Sequence, residues 1–131
     1  MVNDPVSDFI VRIKNAGAVG KASVSAPYSA FKHAIAEKLK DAGYVKAVEK
    51  KGKKVRKVLD VTLKYDENGE HIIHGIRRVS KPGRRMYVGA REVRPVRYGH
   101  GSLIISTPQG VVTDKEARKG NIGGEALFEI W

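Results

Sequence analysis

The sequence predicts an α+β fold of two small modules: an N-terminal α-β-α-β-β module over residues 1–70 and a C-terminal, mainly β module with one short helix over residues 71–131. Three observations predict it. Apolar residues recur at helical spacing twice in the first half, from Val6 to Ile13 and from Phe31 to Ala42. Beyond them, short alternating apolar runs take over. Between the two patterns, Asp66 to Glu70 (DENGE) is an acidic Asn-Gly turn that breaks the composition of the chain. A length of 131 residues leaves room for one ordinary domain or two modules of about 65 residues each.

Asp4 followed by Pro5 reads as an N-cap and a first helical position, after which Val6, Phe9, Ile10 and Ile13 form one stripe and Gly17 ends the helix. Ala22 to Ala26 predicts a short strand. Ser29 caps a second helix whose stripe is Phe31, Ala34, Ile35, Leu39 and Ala42, with Gly43 as its stop. Two strands follow, Tyr44 to Lys50 and Val55 to Tyr65; in the second, Val55, Leu59, Val61, Leu63 and Tyr65 share a face. After the Asn68-Gly69 turn, strands are expected at His71 to Ser80, Met86 to Gly89, Leu103 to Ser106 and Ala126 to Trp131, with a Pro82-Gly83 turn between the first two. Thr113 with Glu116 three residues on is a capping box, Asp114 adds favourable charge to the first turn, and Gly120 closes a short helix.

Charge narrows the function. The 25 Lys and Arg against 14 Asp and Glu leave a net +11, which favours a polyanion, nucleic acid before anionic membrane. There is no cysteine, which excludes disulfides and thiolate metal sites and fits a reducing cytosol. The opening MVNDPVSDF carries acids where a signal peptide needs basic charge, and no apolar run approaches a membrane span. A soluble, cytoplasmic protein is expected. The basic residues are clustered: six of the eight positions from Lys50 to Lys57 are Lys or Arg, either a solubilising hairpin tip or a contact surface. From Arg77 to Arg97 eight basic residues, Arg84 and Arg85 among them, meet one acid, Glu92, with Tyr87 and Tyr98 close by. Arginine with tyrosine favours nucleic acid, because guanidinium grips phosphate bidentately and both side chains stack on bases.

Catalytic patterns are weak. His71 and His74 lie three apart on an expected strand and so face opposite ways, unlike zinc ligands. Gly99 to Ser102 and Gly120 to Gly124 lack the strand, glycine spacing and helix order of an oxyanion or dinucleotide loop. No acidic cluster suits a two-metal nuclease. The expectation is no enzyme, no cofactor and no metal. A duplex-DNA-binding protein would share the charge but calls for a dimer interface or a recognition helix.

The stretch STPQGVVTDKEARKGNIGGE, Ser106 to Glu125, is the richest in special backbone. Ser106 and Thr107 offer adjacent hydroxyls for a 2′-OH, a phosphate or a base edge. Pro108 and Gly110 bracket a turn. Gly123 and Gly124 permit close approach of a ligand or of another chain segment, and Glu125 can accept from base amino groups. The alternative is a tight connection whose hydroxyls cap local backbone.

Together with DPVSDFIVRIKNA near the start and RVSKPGRRMY between them, this stretch resembles the bacterial small-subunit ribosomal proteins numbered eight in the S series, and the similarity extends over essentially the whole chain. The resemblance implies a two-module α/β protein that binds the central domain of 16S rRNA directly and early in subunit assembly. In some bacteria such proteins also repress their own mRNA. Its partners would be that rRNA and neighbouring small-subunit proteins, with no membrane and no small-molecule substrate. Carried over by motif, Ser106, Thr107, Gly123, Gly124 and Glu125 would read an irregular rRNA loop, supported by Tyr87 with Arg84 and Arg85 in the same basic motif. Arg12, Lys14 and Asn15 on the first helix and Lys32 on the second would grip RNA backbone. One position departs from the family pattern. Pro108 stands where a third hydroxyl is usual, and proline brings neither hydroxyl nor N–H.

Overall fold

Two antiparallel sheets carry the structure, one in each of two units. The computed structural model describes residues 4–52 and 56–131, and for Tyr98 the backbone alone. Lys53, Lys54 and the expected strand start at Val55 therefore lie outside the described residues, as does the Tyr98 side chain. One unit is Pro5–Ile73; the other takes His74–Trp131 together with Asp4. Helices and strands mix in both, which makes the fold α+β.

The first unit runs α1 (Pro5–Ala18), β1 (Ser23–Pro27), α2 (Ala30–Asp41), β2 (Val45–Lys51) and β3 (Val58–Leu63), with sheet order β1-β3-β2. Leu59, Val61 and Leu63 alternate into the core, where they are buried with Phe9, Ile10 and Ile13 of α1 and Ile35 and Leu39 of α2. Each such side chain contributes about 1.5–3 kcal/mol through burial. Ser29 caps α2 as expected, its hydroxyl accepting from the Lys32 N–H. The Asp66 to Glu70 segment is a hairpin tip: Asp66 Oδ1 accepts from Asn68 N at 2.8 Å and Glu70 N at 2.9 Å, Gly69 takes φ +81, and Tyr65 bridges His71.

The end of α1 differs from expectation. Gly17 does not stop the helix, which continues to Ala18; the left-handed residue is Gly20 (φ +75), with Lys21 N–H donating to Ala16 O and Gly20 N–H to Gly17 O. This pair of bonds is the Schellman motif, which satisfies carbonyls that a helix end would orphan. Gly17 serves packing instead, since a Cβ there would sit 1.8 Å from the His71 ring.

The second unit comprises β4 (Ile76–Arg78), β5 (Tyr87–Val88), a 3-10 turn (Arg97–Gly99), β6 (Ser102–Thr107), β7 (Gly110–Thr113), α3 (Asp114–Gly120) and β8 (Gly124–Ile130). The sheet order is β4-β8-β6-β7, with β5 also pairing β8. Three expectations change here. The strand expected from His71 to Ser80 shortens to β4, because residues before it place their backbone bonds elsewhere: His71 on Tyr65, His74 and Gly75 on Trp131. β7 was not expected, since two valines beside a capping box carry little periodicity. Finally, α3 keeps its capping box, but Asn121 (φ 53), not Gly120, adopts the left-handed C-cap.

A β-bulge organises β8. Ile104 pairs with Phe128 and Ile105 with Ala126, leaving Leu127 opposite no residue. Its carbonyl is nevertheless well satisfied: Val79 N, Ser80 N and a guanidinium nitrogen of Arg78 all donate to it.

Candidate nucleic-acid interface

Strand alternation decides which side chains of the second sheet can meet a partner. Val88, Ile105 and Ala126 turn inward with Val93, Val96, Leu103 and Ala117. Their neighbours Tyr87, Ser106 and Glu125 therefore face the opposite side. Register aligns these three in one row, because Tyr87 pairs with Glu125 and Glu125 with Ser106. Tyr87 is 69% exposed, an aromatic face open to stacking. Among the described residues nothing hydrogen-bonds the Ser106 hydroxyl.

The remaining residues of the motif hold this row in place. The Thr107 hydroxyl donates to Gly110 O at 2.7 Å and accepts from Gln109 N at 3.1 Å, which closes the β6-β7 turn. Pro108 occupies the first corner of that turn, where its fixed φ is favourable, and Gly110 takes the positive φ of +121. The proline thus fits the local backbone. Gly123 and Gly124 serve close approach of other chain segments, the second of the two uses expected for them: a Cβ would lie 2.5 Å from Val88 O on the former and 2.2 Å from Ser106 O on the latter.

Glu125 is engaged internally. Its Oε2 accepts from Ser80 Oγ at 2.6 Å and from Arg85 Nη1 at 3.1 Å, and its side chain is 17% exposed. Burial alone would raise its pKa, but the Ser80 hydroxyl, the Arg85 guanidinium and the charge of Arg78 outweigh it and hold the carboxyl below its ordinary value. Ser80 is wholly buried and also accepts the Met86 N–H at 3.0 Å, so it joins the strand carrying Tyr87 to the carboxylate. Sequence reasoning missed Ser80. Its only signal was a serine before a Pro-Gly turn. Arg84 is exposed and lines a cleft of about 310 Å³ with Arg77, Arg78, Lys81 and Met86. Arg78, also missed, is clamped by both Asp4 oxygens at 3.0 and 3.2 Å.

In the first unit, Arg12 and Asn15 sit three apart on α1 and line an open groove of about 530 Å³ with Val19, Lys21, Ser23 and Ser25. Arg12 holds Asp8 at 3.0 Å and reaches Ser25 O at 3.4 Å. Lys14 is exposed but does not line that groove, and Lys32 is 9% exposed on α2. Among the described residues, no three His, Asp or Glu gather as metal ligands, and no helix is long and apolar enough to cross a membrane.

Fold and surface define a class: small, strongly basic α+β proteins of two units, with an aromatic-and-hydroxyl row on the face of one sheet. The chain belongs to the ribosomal protein S8 family, whose sequence model matches residues 4–131. It is 47% identical over 130 residues to small ribosomal subunit protein uS8 of Staphylococcus saprophyticus, covering 99% of this chain and 98% of that one. Identity to uS8 of Thermus thermophilus is 45% over 138 residues, covering 100% of both chains. Identity to uS8 of Streptococcus mutans is 44% over 131 residues, covering 100% of this chain and 99% of the other.

Proposed function

We propose that this protein is a structural constituent of the small ribosomal subunit, working in the cytoplasm, that binds the central domain of 16S rRNA directly and early in assembly. Its function is binding without chemistry. The observation that carries the reading is the row Tyr87, Glu125 and Ser106: a stacking face and an unengaged hydroxyl at strand-fixed spacing are suited to a distorted, partly unstacked RNA loop. Tyr87 stacks on a base, Ser106 meets a base edge or 2′-OH, and Arg84 and Arg85 meet phosphates. Thr107, Gly123, Gly124 and Glu125 fix the backbone and side chains that do so.

Arg12, Lys14 and Asn15 grip RNA backbone from the first unit, with Lys32 adding charge at short range. Phosphate contacts of this kind position the protein and supply salt-dependent affinity, while base contacts specify. The same row serves as a repressor site on the protein's own mRNA where that message repeats the rRNA loop, and neighbouring small-subunit proteins are its other partners. The division into residues 1–70 and 71–131 assigns RNA reading to the second module.

The test is a titration of the full chain with a central-domain rRNA fragment and with an equally long fragment from another rRNA domain, across a salt series. Selective binding to the former, falling steeply with salt, is expected. Equal affinity for both fragments, or a flat salt response, would contradict the proposal.

A further inference from the structure

Among the described residues, two other than glycine have a positive φ: Asn121, the C-cap of α3, and Arg97 (φ 47) in the 3-10 turn. Asparagine enters that region readily, whereas a long side chain is strained there. The strained backbone delivers the Arg97 guanidinium onto the Trp131 indole, with Cζ 3.8 Å from the ring centroid. That indole is itself fixed. Trp131 and Gly75 exchange both backbone hydrogen bonds at 3.0 and 3.1 Å, His74 N–H donates to Trp131 O at 2.6 Å, and a Cβ on Gly75 would lie 2.4 Å from indole Cζ2. Gly75 thus abuts the indole with no room for a side chain, and the guanidinium lies over the ring.

Arg97 is exposed and opens on a cavity of about 550 Å³ that Arg118, Pro95 and Gly99 also line. Arg118 is held too: its Nη1 lies 2.9 Å from Oδ2 of the fully buried Asp114, whose Oδ1 accepts the Leu103 N–H at 3.2 Å. Two guanidinium groups, both with restricted motion, thus share one cavity. They stand apart from the Tyr87 row, because Val96 and Ala117, their chain neighbours, pack on the opposite face of the sheet.

We propose that the Arg97–Trp131 stack is a second RNA site, taking one unpaired nucleotide with its base on the open face of the Arg97 guanidinium and its phosphate between Arg97 and Arg118. Guanidinium planes stack on bases, and their edges donate bidentately to phosphate. An acidic protein segment would satisfy the charge but leave the stacked plane uncovered, so a nucleotide is the better match.

Trp131 is the single tryptophan of the chain, so its emission reports on this site alone. The full chain with Tyr87→Ala and Ser106→Ala, which removes the row, is titrated with oligoadenylate RNA and with polyglutamate of equal length. Trp131 emission is expected to change saturably with the RNA only. Adding Arg97→Gly, which suits the positive φ and whose retained fold is checked by thermal melt, is expected to abolish that change. Anisotropy of dye-labelled oligoadenylate, which does not depend on the indole, should then show affinity about tenfold lower, the size of one lost base stack. Unchanged emission with RNA, or an affinity unaffected by Arg97→Gly, would overturn the proposal; a response to polyglutamate alone would reassign the face to an acidic protein. Because the row is absent throughout, these outcomes do not depend on its role.

Discussion

The candidate contacts of the two units are built differently. In the first unit Arg12, Lys14 and Asn15 project from one helix, and the Arg12–Asp8 pair is exposed, so its geometry is adjustable and worth about 0–1 kcal/mol. In the second, Tyr87, Glu125 and Ser106 occupy a cross-strand row tied by a buried serine, a mostly buried carboxylate and two glycines with no room for a side chain. The difference separates two tasks. Exposed charge on a helix face suits attraction to any RNA backbone, whereas fixed spacing suits discrimination between RNA shapes.

The largest expected break in this comparison is Gly124→Ala. Its Cβ would meet the Ser106 carbonyl at 2.2 Å, and that neighbour is backbone, which cannot swing aside. A loss of about 3 kcal/mol is expected in chemical denaturation, since relieving overpacking here means moving β6. Next comes Ser80→Ala, which removes the buried donor to Glu125 and the acceptor for Met86 N–H. A cost of about 1–3 kcal/mol is expected by thermal melting, with selectivity for cognate RNA reduced as well. An unchanged stability would mean that the row does not need this brace.

Acid should act on the second unit through the same carboxylate. The folded pKa of Glu125 is depressed, so its stabilisation is fully present above the ordinary value of 4.5 and is lost as pH falls through the folded value. Arg85→Ala should move the Glu125 titration upward, as followed by the carboxyl carbon resonance. A titration that stays in place would show that Arg85 does not hold the carboxylate. The smallest effect belongs to the first unit: Arg12→Ala should shift the melting temperature little while lowering the salt dependence of RNA binding by about one ion.

Helix starts were readable because capping is local. Ser29 and Thr113 cap as their sequence contexts require, and the α1 stripe lies in the core, but of the α2 stripe only Ile35 and Leu39 are buried, with Ala36 and Lys32 beside them, while Phe31 and Ala42 at its two ends are exposed. Helix ends were less so, since a glycine near the end of a stripe can be a left-handed stop or a packing site; Gly43, just past the C-cap Ala42, is the former (φ +88) and Gly17 the latter. Much of the site could be named from residue type and motif, but the use of each residue could not. Whether a glycine faces a ligand or a neighbouring strand depends on register, and the bulge at Leu127 that sets the register near Glu125 leaves no mark in local composition. The engagement of Glu125 with Ser80, across 45 residues of chain, was hidden for the same reason.

The most direct test of the row is a paired titration of Tyr87→Ala and Arg12→Ala proteins against the cognate central-domain loop and a fully base-paired RNA of equal length. Tyr87→Ala should weaken cognate binding about tenfold or more, the size of one base stack, and leave duplex binding nearly unchanged. Arg12→Ala should weaken both by the same smaller factor. Equal losses on the two RNAs from Tyr87→Ala would contradict the assignment of shape reading to the second sheet.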